Sequence, residues 1–294
     1  MQAREFLIRL HLCSQIGLAN EQRLFEYFKQ MQKLPDSTTL MQLTHFNQAK
    51  AACFLQEFNS KQLYEKCLLH SQETQIITIL DEVYPLQLKQ IYQPPLVLFA
   101  KGNVALLKEP LLAVVGARNM SAYAKRALEM LLPTVCKQLT IVSGLARGVD
   151  GLAHHITLQN QGKTIAVIGN GLDRSYPREN TRLQQQIMTD GLVLSEYALG
   201  QAPLRFHFPY RNRIIAGLCH SLLVVEAKHQ SGSLITANLA LQENRNVLAI
   251  PGALDQELSK GCNELIQAGA KLICTPNDIL EEFPNYLTKL HKIE

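Results

Sequence analysis

Apolar residues recur at helical spacing over the first quarter of the chain. Phe6, Leu7, Leu10, Ile16, Leu24, Phe25 and Phe28 form one set; Leu40, Leu43, Phe46, Ala49, Cys53 and Phe54 form a second. Intervals of three and four place such residues on one face of a helix. Leu34-Pro35-Asp36 separates the sets. Pro35 lacks a backbone donor, and Asp36 or Ser37 can cap the helix that follows. Residues 1–74 therefore read as a small helical domain of about four short helices.

The pattern changes at residue 75. Gln75 to Leu80 (QIITIL) is rich in β-branched residues, Asp81 to Pro85 turns the chain, and Leu96 to Phe99 is a second apolar run. These two strands are expected to join the helical domain to a main sheet. From about Leu106 to Asp278, apolar runs then alternate with helical stretches: 111–115, 140–143, 164–168, 192–195, 221–227, 246–250 and 271–274. Helices are predicted from about Ser121, Val149, Glu179, Arg211 and Ser233. Strands apolar on both faces mark a parallel sheet covered by helices on both sides. The predicted class is α/β, an extended Rossmann-like, doubly wound, mainly parallel sheet over 75–284 with a short tail over 285–294. Ligand loops belong at the carboxyl ends of such strands.

Hydrophobic residues make up 47% of the chain and charged residues 18%, which supports a sizeable core. The formal charge is only +4, so a nucleic-acid site requires local clustering of Arg and Lys. The seven cysteines contain no C-x-x-C pair, which argues for reduced intracellular thiols and against a structural metal. Arg4, Glu5 and Arg9 interrupt the amino terminus, which is no signal peptide, and no apolar run reaches the ~18 residues of a membrane span. A cytoplasmic location is expected.

The predicted strand ends open into loops of Gly, Ser and Arg. In Gly116-Ala117-Arg118-Asn119-Met120-Ser121, Gly116 permits a tight turn, Ser121 can cap a helix, and Arg118 suits a phosphate; a capped turn with a solvated Arg fits equally well. In Ser143-Gly144-Leu145-Ala146-Arg147-Gly148-Val149-Asp150, glycines allow close approach of a ligand, and Asp150 reads as a helix-start anchor. His154 and His155 follow and point to different faces.

Gly169-Asn170-Gly171-Leu172-Asp173-Arg174 misses the third glycine of a dinucleotide fingerprint. Beyond it, Tyr176 offers a stacking face and Arg178 a charge, although a Tyr-Pro turn packed on the core is a common alternative. Arg205 to Arg213 (RFHFPYRNR) interleaves basic and aromatic residues, the strongest signal for single-stranded nucleic acid in the chain. Arg211 and Arg213 are expected near a helix start, where cations call for a bound anion. Ser231-Gly232-Ser233 offers a further anion cradle.

Catalytic signatures are scarce. Gly162-Lys163-Thr164 lacks the upstream glycine of a P-loop and leads into a strand. No histidine is placed by sequence to activate Ser195, and Glu226 reads as a carboxylate that organises arginines. No nucleotide cofactor and no catalytic residue is assigned. A nucleotide-cleaving enzyme of the lysine-decarboxylase-like group would need a P-G-G-x-G-T-x-x-E loop; Pro251-Gly252-Ala253-Leu254 and Ser231-Gly232-Ser233-Leu234 lack its glutamate. A pure adaptor working through the helical domain is the other alternative.

In order, the runs VVGARNMSAYA, IVSGLARGVDGLAH, IGNGLDRSYPREN, LVLSEY, FPYRNRIIAGL, SGSLITANLAL, VLAIPG and KGCNELIQAGA, preceded by YPLQLKQI and PPLVLFAKGN, resemble the DNA processing protein A (DprA, or Smf) family from about Tyr84 to Ala270. The resemblance implies an extended Rossmann domain behind a sterile-alpha-motif-like (SAM-like) helical domain. It also implies sequence-independent binding of single-stranded DNA, protection of incoming DNA in natural transformation, and loading of the recombinase RecA. Homodimerisation through the Rossmann domain and the lack of a catalytic step are implied as well. Carried over by position, the DNA site would use Gly116, Arg118, Gly144, Gly171, Tyr176, Arg178, Arg211, Arg213, Ser231, Gly232 and Ser233. The chain departs from many members in two respects. Only about twenty residues follow Lys271-Leu272-Ile273-Cys274, so no winged-helix domain is expected, and Cys262 stands where a small hydroxyl residue is common.

Overall fold

A computed structural model describes residues 1–284; the tail expected over 285–294 lies outside the described residues. The amino-terminal region forms α1 (Ala3–Leu12), α2 (Leu18–Met31), α3 (Ser37–Thr44), α4 (Gln48–Phe58) and α5 (Lys61–Glu73), one helix more than the pattern suggests. Their starts are set by side-chain caps: Asp36 accepts from Thr39 N–H, Asn47 from Lys50 N–H and Ser60 from Leu63 N–H. Aromatic packing closes the bundle, with Phe6 stacked on Phe28 at 4.0 Å and Phe58 at 5.6 Å from Phe6.

A nine-stranded sheet follows. Its elements are β1 (Gln75–Thr78), α6 (Leu86–Lys89), β2 (Val97–Gly102), β3 (Leu111–Val115), α7 (Ala122–Val135), β4 (Thr140–Ser143), α8 (Val149–Gln159), β5 (Thr164–Ile168), α9 (Thr181–Asp190), β6 (Leu192–Ser195), α10 (His207–Leu218), β7 (Ser221–Val224), α11 (Gly232–Gln242), β8 (Asn246–Ala249), α12 (Lys260–Gln267), β9 (Lys271–Leu272) and α13 (Pro276–Leu280). The order across the sheet is β1-β2-β6-β5-β4-β3-β7-β8-β9. β1 pairs antiparallel with β2, and β2 with β6; all other pairings are parallel. The two early strands thus extend one edge of an otherwise parallel sheet.

β3 to β7 are buried along their whole length, as the two-faced apolar runs require. On β3, Leu112 and Val114 pack with Leu128, Leu132 and Ile156 of α7 and α8; Leu111, Ala113 and Val115 join the core that holds Ile215 and Ala237 of α10 and α11. The helices therefore form a layer on each side. From β3 the chain adds β4, β5 and β6 in one direction, then returns through α10 to place β7 on the other flank of β3. This reversal opens a crevice beyond the carboxyl ends of β3 and β7, the place where open α/β sheets receive ligands.

One boundary matters for the site. The helix predicted from about Arg211 begins at His207, so Arg211 and Arg213 lie in its second turn and both are buried. The charge–dipole mismatch expected for them at a helix start therefore does not arise. Among the described residues, no helix is long and apolar enough to cross a membrane, no cluster of His, Cys, Asp or Glu could hold a metal, and the seven cysteines are free thiols.

Candidate nucleic-acid interface

A cleft of about 430 Å³ occupies the crevice at the β3–β7 reversal. The loop after β3 forms its first wall. A Cβ on Gly116 would lie 2.6 Å from the Val149 side chain. Gly148 has φ +70, and a Cβ there would lie 2.3 Å from the Ala117 carbonyl oxygen. Val149 N–H also donates to Ala117 O at 3.2 Å. These contacts lock the first and second loops back to back and fix where Arg118 emerges.

The same loop ends at Ser121, whose Oγ accepts from Ala124 N–H and caps α7. Glu226 does not organise arginines, as the sequence suggests. Its carboxylate accepts the Ser121 N–H at 2.9 Å and hydroxyl at 2.6 Å. Arg118 projects into solvent with its guanidinium carbon 5.8 Å from the centre of the Phe208 ring. None of the ion pairs among the described residues engages Arg118. An uncompensated, ring-supported guanidinium at a cleft mouth is suited to a phosphate.

The opposite wall is the start of α11. The N–H groups of Leu234 and Ile235 both return to Ser231 O. The first-turn amides of Gly232 and Ser233 have no acceptor within the helix. Ser231 Oγ is buried without a hydrogen-bond partner among the described residues. A bound anion would satisfy all three. Exposed Lys228 stands beside this wall, 3.1 Å from Glu257 in a solvated pair that screening makes weak.

Arg211 and Asp150 form the floor. Arg211 Nη1 donates to Gly144 O at 2.6 Å and also to Val167 O. A Cβ on Gly144 would lie 2.5 Å from that nitrogen, so the glycine leaves the slot the guanidinium fills. Asp150 accepts from Gly144 N–H at 3.2 Å. Burial pushes the Asp150 carboxyl up, against the pull of Arg211. Burial also lowers the Arg211 guanidinium to about 10; Asp150 opposes this and Arg118 adds to it. Asp150 sits at the start of α8, where the sequence places a helix anchor, and it is also the counter-charge to Arg211, which the sequence did not suggest. The floor is thus a fixed cation whose donors are largely engaged, while Arg118 is the exposed one.

A smaller concavity of about 250 Å³ continues the cleft past Arg118, Phe208 and Arg211 to Arg147, Tyr176 and Pro177. The Tyr176 ring is 46% exposed and lies 5.3 Å from Phe208. A base could stack on this pair. Arg147 is tied to exposed Glu179 at 3.0 Å.

Gly116, Arg118, Gly144, Tyr176, Arg211, Ser231, Gly232 and Ser233 therefore come together along one continuous cleft. Three residues expected with them do not line it. Gly171 closes its own turn, since a Cβ there would lie 2.5 Å from Ala198 O. Arg178 is exposed just beyond Pro177, outside the lining. Arg213 pairs with Glu196 at 2.6 Å in a buried bridge and does not complete the basic wall. Residues two apart on a helix point to nearly opposite faces, so Arg211 and Arg213 could not share one site. Phe208 and Asn119 line the cleft but were not singled out in sequence. Phe208 lies three residues before Arg211, on the same helical face, and was legible by that spacing.

An extended, doubly wound sheet with its cleft at the strand reversal and a helical module in front defines a Rossmann-type protein of restricted kind. The family described as DNA recombination-mediator protein A matches residues 75–284, and the chain belongs to that family. It is 55% identical over 206 residues to DNA processing protein DprA of Streptococcus pneumoniae, covering 70% of this chain and 73% of the relative. Identity to DprA of Bacillus subtilis is 39% over 282 residues, 94% of each chain. The X-ray structure of the S. pneumoniae protein superposes with a TM-score of 0.87 at 43% identity, over 96% of this chain and 98% of that one. DNA processing protein A of Helicobacter pylori, which has a single-stranded DNA binding mode, superposes with a TM-score of 0.64 at 30% identity, over 73% of this chain and 96% of that one.

Proposed function

We propose that this protein binds single-stranded DNA without sequence preference in the β3–β7 cleft, protects it, and passes it to the recombinase RecA during transformation and recombination. One observation carries the reading: Arg118, in no ion pair among the described residues and supported by Phe208, faces the unsatisfied start of α11 across the cleft. Phosphates sit between these walls while bases stack along Phe208 and Tyr176. Affinity then follows the phosphate backbone, which carries no sequence information. The role is binding and delivery, with no bond made or broken. The family's description as a DNA recombination mediator fits delivery to a recombinase; RecA as recipient, a homodimer through the Rossmann domain and action in the cytoplasm belong to the same proposal. Arg178, at the rim, meets the strand as it leaves the cleft.

The test is competition. Labelled oligothymidylate and oligocytidylate bind alike, and millimolar nucleoside monophosphate displaces neither. Displacement by the mononucleotide, or its cleavage to free base, would point instead to a nucleotide enzyme.

A further inference from the structure

A second concave site lies on the other side of α10. It is a cavity of about 770 Å³ between the α1–α2 turn and the loop that follows β6, larger than the 430 Å³ cleft. The first turns of α10 form the ridge between the two. Phe208, Arg211 and Asn212 look into the cleft, whereas Phe206, His207 and Tyr210 look into the cavity.

The cavity wall is aromatic. Tyr197 stacks on His207 at 3.9 Å, and Phe206 stands edge-on to His207 at 4.7 Å. Burial holds the His207 imidazole below its ordinary value, and its Nδ1 is 2.9 Å from Gly169 O. That hydrogen bond and the stacked Tyr197 ring fix the imidazole as a platform. Its outer neighbours are open to water, Phe206 by 60% and Tyr210 by 49%. Large rings gathered at a cavity mouth mark a surface that something covers.

The polar groups suit a base better than a phosphate. The amides of Asn20, Gln93 and Gln201 line the cavity and can match the edges of a neutral base. Of the charged groups that line it, His11 pairs with Glu21 at 2.9 Å, Glu196 is held by Arg213 at 2.6 Å, and the Lys66 ammonium donates to Leu12 O at 2.7 Å. Arg205, exposed next to Phe206, stands on the ridge itself.

We propose that a single strand held in the cleft crosses the first turn of α10 and stacks unpaired bases on Phe206 and Tyr210 in this second cavity. The proposal rests on the single-stranded DNA reading and extends it to a bipartite track spanning the helical region and the sheet. A helix is about 10–12 Å across with its side chains. At about 3.4 Å or more per nucleotide, the crossing takes roughly three nucleotides. The second site therefore rewards length.

The experiment is a length series on the full chain, using end-labelled oligothymidylates of about four to about sixteen nucleotides. In the wild type, affinity rises once the strand reaches the cavity. The double variant Phe206→Ala/Tyr210→Ala binds the shortest strands as the wild type does, which also shows that it is folded, and loses about ten-fold affinity for the longest. Tyr210→Trp retains the gain with length. As the only tryptophan in a chain that otherwise has none, its emission is quenched only by strands long enough to cross. An equal loss at every length, or no loss at any, overturns the second site while leaving the cleft intact. Failure of the wild type to bind any strand removes the underlying reading and this one with it.

Discussion

The guanidinium of Arg211 occupies the space that any side chain on Gly144 would need; a Cβ there would sit 2.5 Å from Nη1. The same arginine donates to the Gly144 carbonyl, and Asp150 holds the Gly144 amide. Gly144→Ala therefore drives a methyl into a packed cation held on both sides by backbone. The expected cost is about 1–3 kcal/mol, as for overpacking elsewhere. Thermal unfolding should show it as a fall of several degrees. A wild-type melting curve would mean that Arg211 leaves its slot freely.

Arg211 and Arg118 should separate cleanly under substitution. Arg211→Ala leaves Asp150 buried without its counter-charge, which costs on the order of 3–5 kcal/mol. DNA binding is lost together with stability. Arg118→Ala removes an exposed side chain with no ionic partner among the described residues, so stability should stay within about 0.5 kcal/mol. Its loss appears in affinity alone. Paired melting and binding data on both variants check this, and the account fails if Arg118→Ala melts earlier than Arg211→Ala.

A buried charge ties the helical region to the sheet. His11 lies 2.9 Å from Glu21 and 2.7 Å from the Glu196 carbonyl oxygen. Burial disfavours its charged form, but Glu21 and Glu196 outweigh that and raise its pKa from 6.5 to about 9. The folded state thus holds a proton that the unfolded chain releases. Its stabilisation is complete below the unfolded value of 6.5 and is lost as pH rises through about 9. His154 acts with the opposite sign in another window. Burial, then Arg211, lowers it to about 3, so it disfavours folding only as pH falls below 6.5. Denaturant unfolding between these limits should show stability falling by on the order of 2–3 kcal/mol more in the wild type than in His11→Gln. Parallel profiles for the two proteins would rule out a charged His11.

Much of this architecture was legible in the chain. Strands such as 111–115 and 164–168 are apolar on both faces and, alternating with helices, mark a covered parallel sheet. Pro35 and Asp36 marked the gap before α3, because one lacks a donor and the other caps. α10 starts four residues before the predicted Arg211 because Phe206-His207-Phe208-Pro209 carries no capping side chain to mark the start, and no cap bond forms there. That shift moved two arginines from a helix start into its second turn. Arg213 then fell to Glu196, seventeen residues earlier, a pairing set by tertiary packing and invisible to spacing. Asp150 beneath Arg211 is of the same kind: local sequence shows a helix anchor, and only the fold brings the cation to it.

The central claim is that Arg118 and the start of α11 hold the backbone of a single strand. The most direct measurement is the salt dependence of binding of a labelled oligonucleotide to the wild type and to Arg118→Ala. Each phosphate neutralised on a single strand contributes a slope of about −0.7 in log affinity against log salt. A steep wild-type slope, made shallower by about 0.7 in Arg118→Ala with weaker binding to every sequence, is the predicted result. Affinity indifferent to salt, or equal slopes and affinities for the two proteins, would contradict it.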